Sequence, residues 1–298
     1  MIFALALAAA VAAPPPTFRA AIEKVHVDAF VTRGGQVVRG LEAEDFELRD
    51  NGVAQRVELV SLTQAPLSVV LTLDTSGSVA GPMLDGLRDA SRVLAEGLPA
   101  WDHVALLSFS HRLELRAPPT SARAAVARAL DELVAGGSTA LRDAIYAAVR
   151  IPVPDERRAV VVFSDGADNR SWLSAEEVKE TCRTTGAVVY VVCRSRPTAE
   201  LVTPAYGPRH EVPRESAFAR ELRLLAESTG GVFLDGSDPT AIRSRFLKIL
   251  EEMSTRYALA FVPTGVVREG EHKLDVKVRG GKGTVRCRRG YLVRAAGE

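Results

Sequence analysis

Two carboxylates and three hydroxyls stand at spacings that could hold a divalent cation. The first group is Asp74-Thr75-Ser76-Gly77-Ser78, directly after an apolar run at 68–73. A second carboxylate, Asp165, follows the run 159–164 and precedes Gly166. Between them, Gly136-Gly137-Ser138-Thr139 leads into a helix predicted to start near Ala140. Asp74, Ser76, Ser78, Thr139 and Asp165 offer only oxygen, which suits Mg2+ or Mn2+ in octahedral geometry. Two Asp side chains balance a 2+ charge, and hydroxyls add ligands without adding charge. A cation so held still attracts one more anionic oxygen. Gly77 is expected to fold the loop tightly enough to aim Ser76 and Ser78 at one point. Each residue alone has a plainer role. Ser78 and Thr139 could cap helices, and the two Asp side chains could accept loop N–H groups. Their joint placement favours the metal site.

Such residues need a scaffold that brings strand ends together. Apolar runs at 68–73, 104–109, 159–163, 187–192 and 231–234 alternate with amphipathic helices. Met83, Leu87, Ala90 and Leu94 share one helix face, and Val126, Leu130 and Leu133 a second. Leu141, Ile145 and Ala148 share a third, and Phe218, Leu222 and Leu225 a fourth. The last helix is expected to take Asp238 as N-cap and Pro239 at its first position, turning Ile242, Phe246, Ile249 and Met253 inward. Strands alternating with helices give βαβ units and an α/β fold, a doubly wound, mostly parallel sheet. Residues 112–116 lie too close to the preceding strand for a crossover and should form an antiparallel edge strand. In an open sheet of this kind ligands sit beyond the carboxyl ends of the strands, where strand order reverses. Asp74 is placed there, and Asp165 emerges from a second strand end.

The D-x-S-x-S run at Asp74, Ser76 and Ser78, followed by Thr139 and Asp165, resembles the metal-ion-dependent adhesion site of von Willebrand factor type A domains. The resemblance covers roughly residues 67–253. Val38-Arg39-Gly40-Leu41, Asp45-Phe46-Glu47-Leu48 and Asp50-Asn51-Gly52 look like the leader of bacterial secreted proteins of this kind. Tyr257-Ala258-Leu259 and Arg288-Arg289-Gly290-Tyr291 look like their end. The resemblance implies a Rossmann-like domain that binds a protein partner through Mg2+ or Mn2+. It implies that Ser76, Ser78 and one Asp ligate directly. Thr139 and the other Asp would act through water or directly, and a partner's Glu or Asp would complete the shell. It also allows a shift of the last helix, 240–253, on ligation.

The flanks read as β structure. Residues 20–65 show period-two alternation of Val25, Val27, Ala29 and Val31 with His26, Asp28 and Phe30. Arg33-Gly34-Gly35 marks a turn and Asn51-Gly52 a hairpin. Residues 256–294 hold further strand patterns at 257–262, 273–278, 284–287 and 291–293. Each flank is near the size below which a domain buries too little surface. The two are therefore expected to pair into one β-sandwich-like domain with the α/β domain inserted between them, the alternative being two separate appendages. Residues 1–13, MIFALALAAAVAA, have the length and small-residue end of a signal peptide without a basic start, and point to export to the periplasm or exterior. The other reading of that stretch is a buried apolar strand or helix start.

Composition removes other classes. Lys plus Arg number 38 and Asp plus Glu 37, a net charge of +1, which gives no bulk attraction for nucleic acid. No apolar run reaches the ~18 residues of a membrane helix. Three cysteines rule out a disulfide scaffold. Cys182 and Cys193, the close pair, should lie about 15 Å apart across a helix and its following strand, and so stay unpaired. An aspartyl phosphatase would need a second Asp as general acid where Ser76 stands. No G-x-G-x-x-G, G-x-S-x-G or zinc motif occurs. A structural envelope module without a metal-dependent partner is the third class. The long stretch 194–215, with Arg194, Arg196, Arg209 and Arg214 and several Pro, reads as a loop beginning on the edge that carries the site. It would either flank the site and contact an acidic partner surface or be a solvated insertion.

Overall fold

The computed structural model describes residues 24–60, 65–155, 157–165, 168–194, 198–202, 210–214, 216–267 and 269–293. The stretch read as a signal peptide lies outside them. The central domain runs β1 (Leu67–Asp74), α1 (Pro82–Gly97), β2 (His103–Phe109), β3 (Leu113–Thr120), α2 (Arg123–Asp131) and α3 (Leu141–Arg150). It continues with β4 (Arg157–Ser164), α4 (Ala175–Thr185), β5 (Val188–Cys193), α5 (Ala217–Ser228), β6 (Phe233–Asp235) and α6 (Ile242–Ser254). The sheet order is β6-β5-β4-β1-β2-β3, parallel except for the edge strand β3. It is the doubly wound α/β sheet with one antiparallel edge that the alternating pattern predicts.

Helices cover both faces, so β1 is buried along its whole length. Val69, Leu71 and Leu73 meet α1, α2 and α6 through Leu87, Leu130 and Phe246. Val70, Val160 and Val162 meet α3, α4 and α5 through Ile145, Val178 and Leu222. The inward face of α5 is set by Ala219, Leu222, Leu225 and Ala226, with Phe218 only half-buried. Asp238 does not cap α6. It accepts from Thr240 N at 2.9 Å and starts a separate 3-10 turn, Pro239–Ala241, ahead of that helix. Within the segment read as a loop, Thr198–Val202 pairs antiparallel with His210–Arg214 as a two-stranded ribbon.

Strands from both ends of the chain pair with each other. Val25–Arg33 lies between Tyr257–Phe261 and Thr284–Arg286, and Tyr257–Phe261 also pairs Glu58–Val60. A second sheet runs Gly290–Val293, Gly270–Val278, Phe46–Asp50, Val53–Gln55. Val27, Val31, Leu48, Leu259, Phe261 and Val276 fill the space between the sheets. Asn51 (φ 47°) and Gly52 (φ 84°) both turn left-handed, as a two-residue hairpin of type I′ demands. In this core Asp50 is fully buried. It lies 2.9 Å from His272 Nδ1 and accepts from Tyr291 Oη at 2.6 Å.

Arginines tie the sandwich to the central domain at the amino ends of the parallel strands. Arg157 Nε of β4 donates to Asp28 Oδ1 at 2.7 Å, and Arg256 Nη1 to the Asp28 carbonyl at 2.9 Å. Glu252, near the end of α6, receives Arg256 on Oε1 at 2.6 Å and Arg286 on Oε2. Burial would raise the Glu252 pKa, but the two guanidinium charges outweigh it and hold the carboxyl below the usual range. Cys182, Cys193 and Cys287 are all free, and burial pushes the first two thiols up to about 12. Removing one member of a buried ion network leaves its partners unpaired. Glu252→Ala should therefore cost about 3 kcal/mol in urea unfolding. A cost well under 1 kcal/mol would show that the seam does not depend on this carboxylate.

Candidate metal centre

The strand order reverses between the parallel neighbours β1 and β4, and both candidate carboxylates emerge there. Asp74 is the last residue of β1 and is fully buried. Its Oδ1 accepts Ser76 N at 2.8 Å, which bends the chain into a tight turn, and its Oδ2 accepts Ser164 Oγ at 2.8 Å. The second bond links β1 to β4 at the reversal point. Ser164 escapes sequence reasoning because a strand-ending serine carries no signal. Asp165 follows immediately, also buried, and its Oδ1 has no hydrogen-bond partner among the described residues. Neither carboxylate forms an ion pair among the described residues.

The Ser76 hydroxyl, buried, faces that of exposed Ser78 at 3.1 Å across a 3-10 turn, Gly77–Val79. This loop is stitched to the loop before α3. Gly136 N donates to Thr75 O at 2.7 Å, and Gly77 N to Gly137 O at 3.0 Å. The Ser76 and Ser78 hydroxyls converge without a left-handed backbone at Gly77 between them. Gly137 is the left-handed one, at φ +85°, with the His111 ring lying where a β-carbon would go. Thr139, buried, is fixed by a reciprocal pair with Asn169: Thr139 N donates to Asn169 Oδ1 at 3.0 Å, and Asn169 N to Thr139 O at 3.1 Å. Asp168 accepts Arg142 N at 2.9 Å and holds the start of α3 against the same loop. Both positions were missed. Their only signal is the polar run Asp168-Asn169-Arg170-Ser171 after a strand end.

The electrostatics follow from this burial. Desolvation raises the Asp74 pKa, hydrogen bonds from Ser76 and Ser164 partly oppose it, and the Asp165 charge adds to the rise. An unpaired buried carboxylate oxygen is costly unless something neutralises it. Among the described residues no cluster of three or more His, Cys, Asp or Glu side chains is arranged for a metal. A cation here would depend on two carboxylates and on hydroxyls, and that donor set fits a hard divalent ion. The Ser76 hydroxyl meets Ser78 rather than an imidazole, so no activated nucleophile is assembled at that position.

A doubly wound α/β domain with acids and hydroxyls on the rim of its switch point defines a ligand-binding class of fold. Residues 69–167 match the model of the von Willebrand factor type A domain, and this part of the chain is such a domain. A solved von Willebrand factor type A protein from Catenulispora acidiphila is 14% identical, covers 84% of this chain and 73% of its own, and superposes with a TM-score of 0.52. Proximal thread matrix protein 1 from the mussel byssus is 17% identical over 66% of this chain and 48% of its own, with a TM-score of 0.50. A stretch of 82 residues, 27% of this chain, is 33% identical to an uncharacterized Synechocystis protein, and spans only 20% of that protein's length.

Gly137→Ala places a methyl 2.1 Å from His111 Nδ1 on a left-handed backbone. It should cost about 1–2 kcal/mol in thermal unfolding. Gly77→Ala, where the nearest atom is 3.7 Å away, should cost less. Equal costs would mean that Gly137 does not set the loop.

Proposed function

We propose that the chain is a divalent-metal-dependent protein-binding module, used in adhesion or assembly, that takes a partner's Glu or Asp carboxylate at its metal. The observation that carries this is the pair of buried carboxylates Asp74 and Asp165 at adjacent strand ends, with Asp165 Oδ1 unpartnered among the described residues. The von Willebrand factor type A domain is itself a protein-interaction fold. Asp74, Asp165, Ser76, Ser78 and Thr139 would hold Mg2+ or Mn2+, which supplies a Lewis-acid position for one further anionic oxygen. The chain's own part is to orient. Ser76 N and Ser164 Oγ fix the Asp74 carboxylate, and Asn169 fixes the Thr139 backbone. The module is not an enzyme in this reading, because position 76 offers no general acid. A balanced net charge of +1 leaves a protein, not nucleic acid, as partner. Export to the periplasm or exterior fits residues 1–13. No helix among the described residues is long and apolar enough to cross a membrane.

Mg2+ or Mn2+ at about 100 times its Kd should stabilise the protein by about 2.7 kcal/mol. Asp165→Asn should remove that gain while matching or exceeding the stability of the metal-free wild type, because it relieves a buried charge. An unchanged melting temperature up to millimolar metal would overturn the site. In pull-downs from the native envelope, partners should be lost with chelator and with Asp74→Ala alike. Partners indifferent to both would overturn the mechanism.

A further inference from the structure

We infer that Trp172 is the anchor by which this site recognises its partner, and that the partner is an acidic protein segment with an apolar side chain beside the carboxylate it offers. The inference rests on the metal-dependent reading above. Trp172 is 95% exposed. An indole can bury 150–250 Å2, and folding here leaves that area in water. Its backbone is nevertheless pinned. Trp172 N lies 3.1 Å from both oxygens of Asp143 in the first turn of α3, and Leu173 N donates to Asp143 Oδ1 at 3.0 Å. Ser171 N donates to Asp168 Oδ1 at 3.1 Å, and Ser171 Oγ accepts Asp143 N at 3.2 Å. The loop's ordering cost is thus met before any partner arrives, which is the condition for a strong anchor.

The same loop is continuous with the site. Asn169 exchanges two backbone-fixing bonds with Thr139. From Asn169 to Trp172 the chain can extend by at most about 11 Å, so the indole stands on the site's rim. Arg170, between them, is exposed and makes no ion pair among the described residues. On a rim that also carries Asp168 and Asp143, its charge would meet a partner carboxylate once a metal has neutralised Asp74 and Asp165. Trp and Arg are the residue types that dominate interface energies.

The test uses an array of synthetic octapeptides, each with one central Glu and with Ala, Leu, Phe, Lys or Asp beside it, against the full chain in Mg2+. Leu- and Phe-flanked peptides should bind at least about tenfold more tightly than Ala- or Lys-flanked ones, and chelator should release them. Trp172→Ala should erase the preference while Mn2+ affinity, read by paramagnetic resonance, stays unchanged. Trp172→Phe should restore most of it. The chain has two Trp, so in Trp101→Phe protein the emission of Trp172 alone should shift to the blue on binding. Chelator-sensitive binding that Trp172→Ala leaves intact overturns this inference and leaves the metal reading standing. No chelator-sensitive binding to any peptide overturns both. A Mg2+-dependent dimer dissolved by Trp172→Ala would assign the surface to a second copy of the chain and overturn the acidic-peptide assignment.

Discussion

Two negative charges held side by side out of water are the constraint around which this domain is organised. Parallel pairing of β1 with β4 puts the ends of those strands next to each other, and the sequence places Asp74 and Asp165 there. Like charges in that position repel, and burial makes the repulsion worse. The fold answers with dipoles rather than with Lys or Arg. Ser76 N and Ser164 Oγ hold Asp74, and one oxygen of Asp165 goes without a partner among the described residues. Among the described residues neither carboxylate is ion-paired, whereas elsewhere in this chain arginines meet buried or nearly buried carboxylates. In the proposed reading a cation would supply the missing charge.

The contrast with the opposite end of the sheet is instructive. There Glu252 is as buried as the site carboxylates, yet Arg256 and Arg286 neutralise it. Arg157 and Asp28 extend the network into the sandwich. One pole of the domain is electrostatically closed and joins two units. The other is electrostatically open. The same residue chemistry is neutralised at one pole and left without a cationic partner at the other, and the difference lies in what faces each carboxylate among the described residues.

Much of this was legible in the sequence because it depends on period and order. Apolar runs alternating with amphipathic helices dictate the doubly wound sheet, and residues that end those runs must emerge on its rim. Asn51-Gly52 announces its hairpin through the backbone conformation it alone tolerates cheaply. What stayed hidden depends on contacts distant in sequence. Asn169 reaches Thr139 across 30 residues, and Ser164 reaches Asp74 across 90. Neither has a local pattern to betray it. Gly77 drew attention because it sits inside the motif, whereas Gly137 bears the left-handed turn. A sequence shows that a glycine is present but not which φ it adopts. The split between Pro239–Ala241 and α6 was hidden for a related reason, since a capping Asp precedes a 3-10 turn as readily as an α-helix.

The insertion of one unit within the other has a mechanical consequence. The central domain leaves the sandwich before Leu67 and returns after Ser254, both at the amino ends of the parallel strands, while the acidic rim faces away at their carboxyl ends. A pull applied at the rim therefore reaches the sandwich through two chain crossings side by side. A domain strung in tandem would pass the same load through one. The two crossings share the force, and Arg157, Arg256 and Arg286 add polar bonds between the sandwich and the central domain. The architecture is that of a fitting bolted at two points, with its acidic rim turned outward.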